Sequence, residues 1–309
     1  MIPVPTVAGM LFSLNVNSIR DVLKRKGKRA VEVIDLPKYT AEHLGLSALT
    51  LPTDLLAGMG RTELEKIRDT GDRAGCTCLL LSQSEPLTLA ESSESKGDAA
   101  IDRARRIITA ATLLGCNSAS ISIKAKDTEA QFDLVTERMK RILEHADSVD
   151  INVLIAPEAG LTEDPERLTD LIKAIGGFRI GSFPDFEGAQ KSGDPAGYLR
   201  KLTPYASVVN ASTLGFTAGE IPDAAKKSNP LESGLSGLDA LAAELESMLD
   251  EPDAPPVHDG FDLATMAGAL SAVGFDGNIA IDYRGGGDGT LGAMQSHEAL
   301  EAAFESLAG

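Results

Sequence analysis

Glu158 is the acidic residue whose position most suggests chemistry. It follows the apolar run 151–156 and a proline, and residues on both faces of that run are apolar, as in a strand buried within a parallel sheet. Pro157 cannot donate a ladder hydrogen bond, so the strand should end there. Asp164 and Pro165 then supply an N-cap and a first-turn proline for a helix to about residue 175. α/β barrels carry out their chemistry at the carboxyl ends of such strands. The alternative is that Glu158 only begins a loop.

Two further acids and an arginine lie at or near the ends of later apolar runs. Asp282 lies inside the run 279–283, and a carboxylate inside a barrel is costly unless a metal or another cation pairs with it. Asp185 follows a predicted strand, where it could act at a site or cap a turn. Arg284 precedes a run of three glycines and could hold a phosphate or carboxylate, although Asp288 in the same loop argues against phosphate.

Eight strand-like runs alternate with helical patterns. The predicted strands are 7–13, 30–34, 76–81, 118–123, 151–156, 178–183, 206–211 and 278–283. The main predicted helices are 18–28, 61–73, 99–114, 129–148, 164–175, 194–202, 238–249, 261–273 and 297–307. Right-handed crossovers then favour an α/β protein with a (β/α)8 TIM barrel. An open doubly wound sheet is the alternative, but the first strand has no glycine-rich turn after it.

The predicted barrel is a single domain over residues 1–309. It carries an insertion at about residues 212–259, between strands seven and eight, which we expect to lie over the mouth of the barrel.

The composition restricts the class of partner. The net charge of −17 gives a surface that repels phosphate backbones, so no nucleic-acid partner is expected. Three cysteines make no disulfide framework, and Cys76 and Cys78 are expected to be core thiols. No basic leader and no apolar run of membrane-spanning length is present, so we expect a cytoplasmic protein with no membrane partner. The sequence leaves a homo-oligomer open.

Six segments together resemble the xylose-isomerase-like TIM barrel family of sugar phosphate isomerases and epimerases. They occur in the same order along nearly the whole chain, at residues 31–35, 110–116, 153–162, 184–186, 204–211 and 274–283. The resemblance implies a divalent metal, Mn²⁺ or Mg²⁺, whose ligands would be Glu158, Asp185, Asn210 and Asp282. Such a cation could hold two adjacent oxygens of an α-hydroxy-ketone and stabilise an ene-diolate. Glu158 and Asp282 would then be the catalytic residues that remove and return the proton.

The polar residues around that site depart from the family pattern. Ala159-Gly160 follows Glu158 where the family has Asn-His, and Asn210 stands where histidine is frequent. Lys124, Arg284 and Glu32 are the candidate substrate-binding residues. A solvated lysine at position 124, and a buried ion pair for Glu32 inside the barrel, are the alternatives. None of the four histidines is expected to bind a metal.

Three functions remain open on the sequence. The leading hypothesis is a metal-dependent isomerase or epimerase of carbohydrate metabolism that acts on a small-molecule sugar or polyol through an ene-diolate. The second uses the same metal for elimination or cleavage of an oxidised sugar. The third is a catalytically silent barrel, with a decayed site and no metal, that acts as a sugar-binding or partner subunit.

Overall fold

A computed structural model describes residues 10–27, 30–217 and 254–307. Its strands are β1 (Leu11–Asn15), β2 (Ala48–Pro52), β3 (Thr77–Ser82), β4 (Ser118–Ser122), β5 (Asn152–Ala156), β6 (Ile180–Ser182), β7 (Val208–Thr213), β8 (Phe216–Thr217), β9 (Val257–His258) and β10 (Asn278–Tyr283). Its α-helices are α1 (Leu36–Leu44), α2 (Arg61–Ala74), α3 (Glu94–Leu114), α4 (Glu129–Ser148), α5 (Pro165–Ile175), α6 (Phe186–Lys191), α7 (Pro195–Leu202), α8 (Leu263–Ser271) and α9 (Gly289–Glu305).

Eight parallel strands form one curled sheet in the order β6-β5-β4-β3-β2-β1-β10-β7. The two end strands, β6 and β7, meet through single bridges at Ser182–Ala206 and Asp185–Asn210. The Asn210 N–H donates to the Pro184 carbonyl at 2.9 Å across the same gap. The predicted TIM barrel is therefore confirmed, and its closing edge brings Asp185 beside Asn210.

Side chains alternate along each strand between the helices outside and the barrel interior. The middle of the interior is an apolar cluster that includes Leu154, Val208 and Ala280. Two residues beyond Val208 and Ala280, on the same inward face, lie Asn210 and Asp282. Apolar packing thus fills the barrel below, and polar side chains lie above it at the carboxyl ends of the strands.

The prediction of a strand at residues 30–34 is wrong. The second strand is β2, whose five residues are all buried, whereas Val33–Asp35 forms a 3-10 helix without a buried residue. Pro37 lies in the first turn of α1 directly afterwards and favours helix there. Glu32 is consequently exposed outside the sheet, so its predicted place inside the barrel is wrong as well.

The first and last predicted helices also differ from the observed elements. Residues 18–28 were predicted as one helix, but residues 16–24 form two short 3-10 turns. The last helix, α9, begins eight residues early because the Asp288 carboxylate accepts from the Thr290 and Leu291 N–H groups. The short helix α6 was not predicted.

β7 runs to Thr213, the second residue of the predicted insertion. β8 and β9 then pair antiparallel at its two ends, while the predicted helix 238–249 lies outside the described residues. In the described ranges, no helix is both long and apolar enough to cross a membrane.

Candidate functional site at the barrel mouth

Three buried polar side chains form a hydrogen-bonded chain at the ends of β1, β7 and β10. The Asn15 amide donates to Asn210 Oδ1 at 3.0 Å, and Asn210 Nδ2 donates to Asp282 Oδ2 at 2.8 Å. Asn15 Oδ1 accepts from the Asn17 N–H at 3.1 Å, which fixes the orientation of the first amide. Each amide then fixes the next, because reversing either one would place donor against donor. The chain therefore directs an N–H group at Asp282, which suits an ionised carboxylate.

The Arg284 side chain folds back over the mouth and joins three carboxylates. Its Nη2 lies 2.8 Å from Asp185 Oδ2 and 2.8 Å from Asp282 Oδ2. Its Nε donates to Asp282 at 2.9 Å, and its Nη1 pairs with Glu187. We call these four residues the Arg284 cluster. A planar guanidinium suits this multiple pairing better than the ammonium group of lysine would.

Asp185 has both of the roles that the sequence allowed, because it caps a helix and also belongs to the Arg284 cluster. Its Oδ1 caps α6 by accepting from the Glu187 N–H at 3.4 Å, while its Oδ2 pairs with Arg284. The Ser212 hydroxyl donates to Asp185 and accepts from the Glu187 N–H at 2.8 Å. The hydrogen bonds of Asp185 and Ser212 thus hold the end of β7, the start of α6 and the Arg284 side chain together.

The charges of the cluster shift its proton affinities in opposite directions. Burial raises the pKa of Asp185, and the Asp282 charge adds to this, against the opposing effects of Arg284 and Ser212. Burial alone would lower the pKa of Arg284, but the charges of Asp185 and Asp282 outweigh it and raise that pKa. Hydrogen bonds from Lys191 and Arg284 lower the pKa of Glu187. The guanidinium therefore stays charged.

One oxygen of the cluster is left without a protein donor. Asp282 is 2% exposed, and its Oδ1 has no hydrogen-bond partner among the described residues, whereas its Oδ2 accepts from Asn210 and Arg284. Leaving such an acceptor unmet is costly. Asp282 Oδ1 is therefore a buried acceptor that the described residues leave unsatisfied.

Glu158 and Lys124 lie elsewhere on the mouth. The Glu158 N–H donates to the Thr162 hydroxyl at 3.0 Å, and the Glu158 carboxylate accepts from the next N–H in the chain, that of Ala159, at 3.3 Å. Lys124 is exposed, and its backbone N–H donates to the Leu87 carbonyl at 2.9 Å. The structure gives neither side chain a bond to the Arg284 cluster.

A second polar group, at the ends of β1, β2 and β3, was missed by the sequence analysis. Arg20 donates twice to Asp54, at 2.7 and 2.8 Å, and the Ser84 hydroxyl also donates to Asp54 at 2.7 Å. The hydrogen bond from Arg20 lowers the pKa of Asp54 to about 2. The signal was the apolar run at β2 followed by Thr53-Asp54, which resembles the run that leads to Glu158.

The predicted metal site does not form from these residues. Among the described residues, no three carboxylate, imidazole or thiolate groups converge as metal ligands. Arg284 Nη2 occupies the point between Asp185 and Asp282, and the Asn210 amide oxygen already accepts from Asn15. Mn²⁺ or Mg²⁺ at Glu158, Asp185, Asn210 and Asp282 therefore does not fit this arrangement.

The family is settled by a match along most of the chain. The model of the xylose isomerase-like TIM barrel family matches residues 39–307. The chain belongs to this family. A sequence search of curated proteins gives no match.

Solved structures similar to the chain include sugar epimerases. L-ribulose 3-epimerase shares 12% identity with a TM-score of 0.69, covering 97% of this chain and 97% of its own. D-psicose 3-epimerase with D-tagatose, from Clostridium cellulolyticum H10, shares 11% identity with a TM-score of 0.67, covering 96% and 98%. The IolI protein with a bound zinc atom shares 12% identity with a TM-score of 0.63, covering 96% and 98%. At these identities the likeness establishes the fold.

Proposed function

We propose that the chain binds a sugar or polyol at the mouth of its barrel, next to the Arg284 cluster. The observation that carries this proposal is the Oδ1 of Asp282, a buried acceptor without a hydrogen-bond partner in the part of the chain that the structure describes. A hydroxyl group is a neutral donor that can hydrogen-bond to a carboxylate oxygen. A charge-assisted hydrogen bond there would contribute about 1.5–3 kcal/mol. The likeness to sugar epimerases supports the choice of ligand class.

Titration calorimetry with D-tagatose, L-ribulose, D-fructose and sorbitol tests this proposal. We expect at least one of them to bind, and Asp282→Asn to weaken that binding by about tenfold or more, since 1.4 kcal/mol is a factor of ten. Glu144→Gln, on an exposed position of α4, is the control that preserves binding. Equal affinity for the wild type and Asp282→Asn, or no binding by any of the four compounds, would refute the proposal.

A second candidate function is isomerisation or epimerisation of the same bound sugar. Glu158 favours it, because this carboxylate lies just after the end of β5 and, among the described residues, accepts a hydrogen bond only from its own loop, at the Ala159 N–H. Glu158 would take the proton from a carbon next to a carbonyl, and the electron pair would move to the carbonyl oxygen to give an ene-diolate. For isomerisation, the proton would return to the former carbonyl carbon while the hydroxyl proton moves from the other oxygen to the former carbonyl oxygen; for epimerisation, a proton would return to the same carbon from its opposite face. Arg284 is the cation that could stabilise the resulting ene-diolate.

Proton NMR in D₂O separates the two candidates. Exchange of a carbon-bound hydrogen for deuterium, lost in Glu158→Gln but kept in Glu144→Gln, would establish the enzyme. Binding without any exchange would establish the sugar-binding barrel.

A further inference from the structure

We propose that Arg284 is a built-in cation that takes the place of a divalent metal in this barrel, so that the mouth binds no Mn²⁺ while Arg284 is present. The inference concerns the carboxylates of the Arg284 cluster and does not depend on which sugar binds. Its starting point is that a single nitrogen, Nη2, contacts both Asp185 and Asp282 at 2.8 Å. A cation that bridged Asp185 and Asp282 would have to occupy the same point.

The backbone holds Arg284 in this position. Its N–H donates to the Thr213 carbonyl at 2.8 Å, which continues the ladder of β7 and β10 by one step beyond Tyr283. The next residue, Gly285, lies close to the chain that follows β7, since a Cβ there would lie 1.8 Å from the Leu214 carbonyl oxygen. Position 284 therefore follows 280 and 282 on the inward side, and its long side chain reaches back across the mouth.

The negative charges around Arg284 are already paired with its own positive charge. Asp185 and Asp282 share its guanidinium, and Glu187 pairs with both Arg284 and Lys191. A divalent ion bound to the same two carboxylates would lie in contact with the guanidinium. At that short distance the two positive charges repel each other strongly. The ion could enter only if Arg284 left three carboxylates, one of which is buried.

The oxygen of Asn210, another of the expected metal ligands, already accepts a hydrogen bond. Asn15 is oriented by the Asn17 N–H, and it donates to Asn210 Oδ1. Asn210 therefore presents its N–H₂ group to Asp282, and an amide nitrogen is no ligand for Mn²⁺ or Mg²⁺. Asn210 supports Asp282 as an anion beside Arg284 and does not complete a metal site.

Mn²⁺ binding to chelator-treated protein tests the inference, measured by electron paramagnetic resonance of free Mn²⁺ and by the melting temperature. We expect the full-length wild type to take up no Mn²⁺ at the mouth and to melt at an unchanged temperature. Arg284→Met removes the competing cation and leaves Asp185 and Asp282 facing each other. This variant should bind one Mn²⁺ and gain about 4 °C at a free Mn²⁺ concentration a hundredfold above its Kd. Adding Asp185→Asn and Asp282→Asn to it should remove that gain.

Arg20→Met is the matched control, because Arg20 is another arginine of the mouth but pairs with a single aspartate, Asp54. It should remain without Mn²⁺ binding. Arg284→Gln provides a second variant without the charge in case Arg284→Met does not fold. Mn²⁺ bound by the wild type and lost in Asp282→Asn would overturn the inference. So would folded Arg284→Met or Arg284→Gln protein that takes up no Mn²⁺, since the carboxylates would then be unable to hold a metal at all.

Discussion

Removing the guanidinium of Arg284 should destabilise the barrel by stranding a buried charge. Asp282 is 2% exposed, and in Arg284→Met its one remaining donor among the described residues is Asn210. Loss of one partner from a buried ion pair costs about 3–5 kcal/mol. Arg284 itself is 34% exposed and Asp185 is 24% exposed, so water compensates part of the loss. We therefore expect the free energy of unfolding to fall by about 2–3 kcal/mol.

A double-mutant cycle isolates the charge interaction from the loss of packing. Asp282→Asn in the Arg284→Met background removes the stranded charge while Asn210 keeps an oxygen to which it can donate. The double variant should be more stable than the sum of the two single variants predicts, by a coupling energy of about 1–3 kcal/mol. The same cycle at a distant exposed pair should give a coupling near the 0.2–1 kcal/mol of surface ion pairs.

Urea unfolding at pH 7 and constant salt measures each free energy. The expected loss in Arg284→Met corresponds to a fall in melting temperature of roughly 3–5 °C for a protein of this size. Arg20→Met removes an arginine whose partner Asp54 is 45% exposed, and should cost about 1 kcal/mol or less. Equal losses in Arg284→Met and Arg20→Met, with additive effects in the cycle, would refute the view that Arg284 neutralises Asp282.

Three further predictions concern other parts of the barrel. Asp54 should titrate at about 2 by carboxyl ¹³C NMR. This depressed pKa stabilises the fold above about pH 4, and the stabilisation is lost as the pH falls towards 2. Arg20→Gln should return the pKa of Asp54 towards 3.8. All three cysteines are buried, so a thiol reagent should modify them only after denaturation, and rapid labelling of native protein would contradict this. Gly285→Ala should cost about 1–3 kcal/mol by overpacking against Leu214, whereas Gly286→Ala, with no atom within 4 Å of the added Cβ, should stay within about 0.5 kcal/mol.

The sequence predicted best those elements whose signals are local. β5 and α5 were predicted almost to the residue, because Pro157 ends the strand and Asp164-Pro165 begins the helix. The Asp164 side chain indeed accepts from the Arg167 N–H at 2.9 Å. Capping and proline effects act over three or four residues, so they are visible without knowledge of the fold.

The second strand failed because β propensity reports side-chain type and not burial. Residues 30–34 are rich in valine and isoleucine, yet the chain places Ala48–Pro52 in the sheet. The two runs are of similar length, and the choice between them depends on which can be buried on both faces once the barrel forms. That error also hid Asp54 and its pairing with Arg20, which lie just beyond the true second strand.

The roles of the site residues could be predicted only in part, for a related reason. The inward-facing position of Asp282 follows from strand alternation, and so does the need of that carboxylate for a cation. The source of the cation does not follow, since an arginine side chain has several rotatable bonds and its direction depends on partners from distant strands. Asp185, 99 residues before Arg284 in the sequence, is such a partner.

The position of Arg284 shows how one side chain can replace an external cation. In a parallel barrel, the residue two positions beyond an inward-facing strand acid lies above that acid, at the rim of the mouth. A short side chain there would leave the carboxylates of Asp185 and Asp282 to repel each other or to bind a metal. An arginine reaches both of them and brings a charge that neither pH nor a chelator removes. A guanidinium, unlike a metal ion, offers no open coordination position to a substrate oxygen. A sugar bound at this mouth, as proposed above, would therefore be recognised by hydrogen bonds, and the Oδ1 of Asp282 is a buried acceptor without a partner among the described residues.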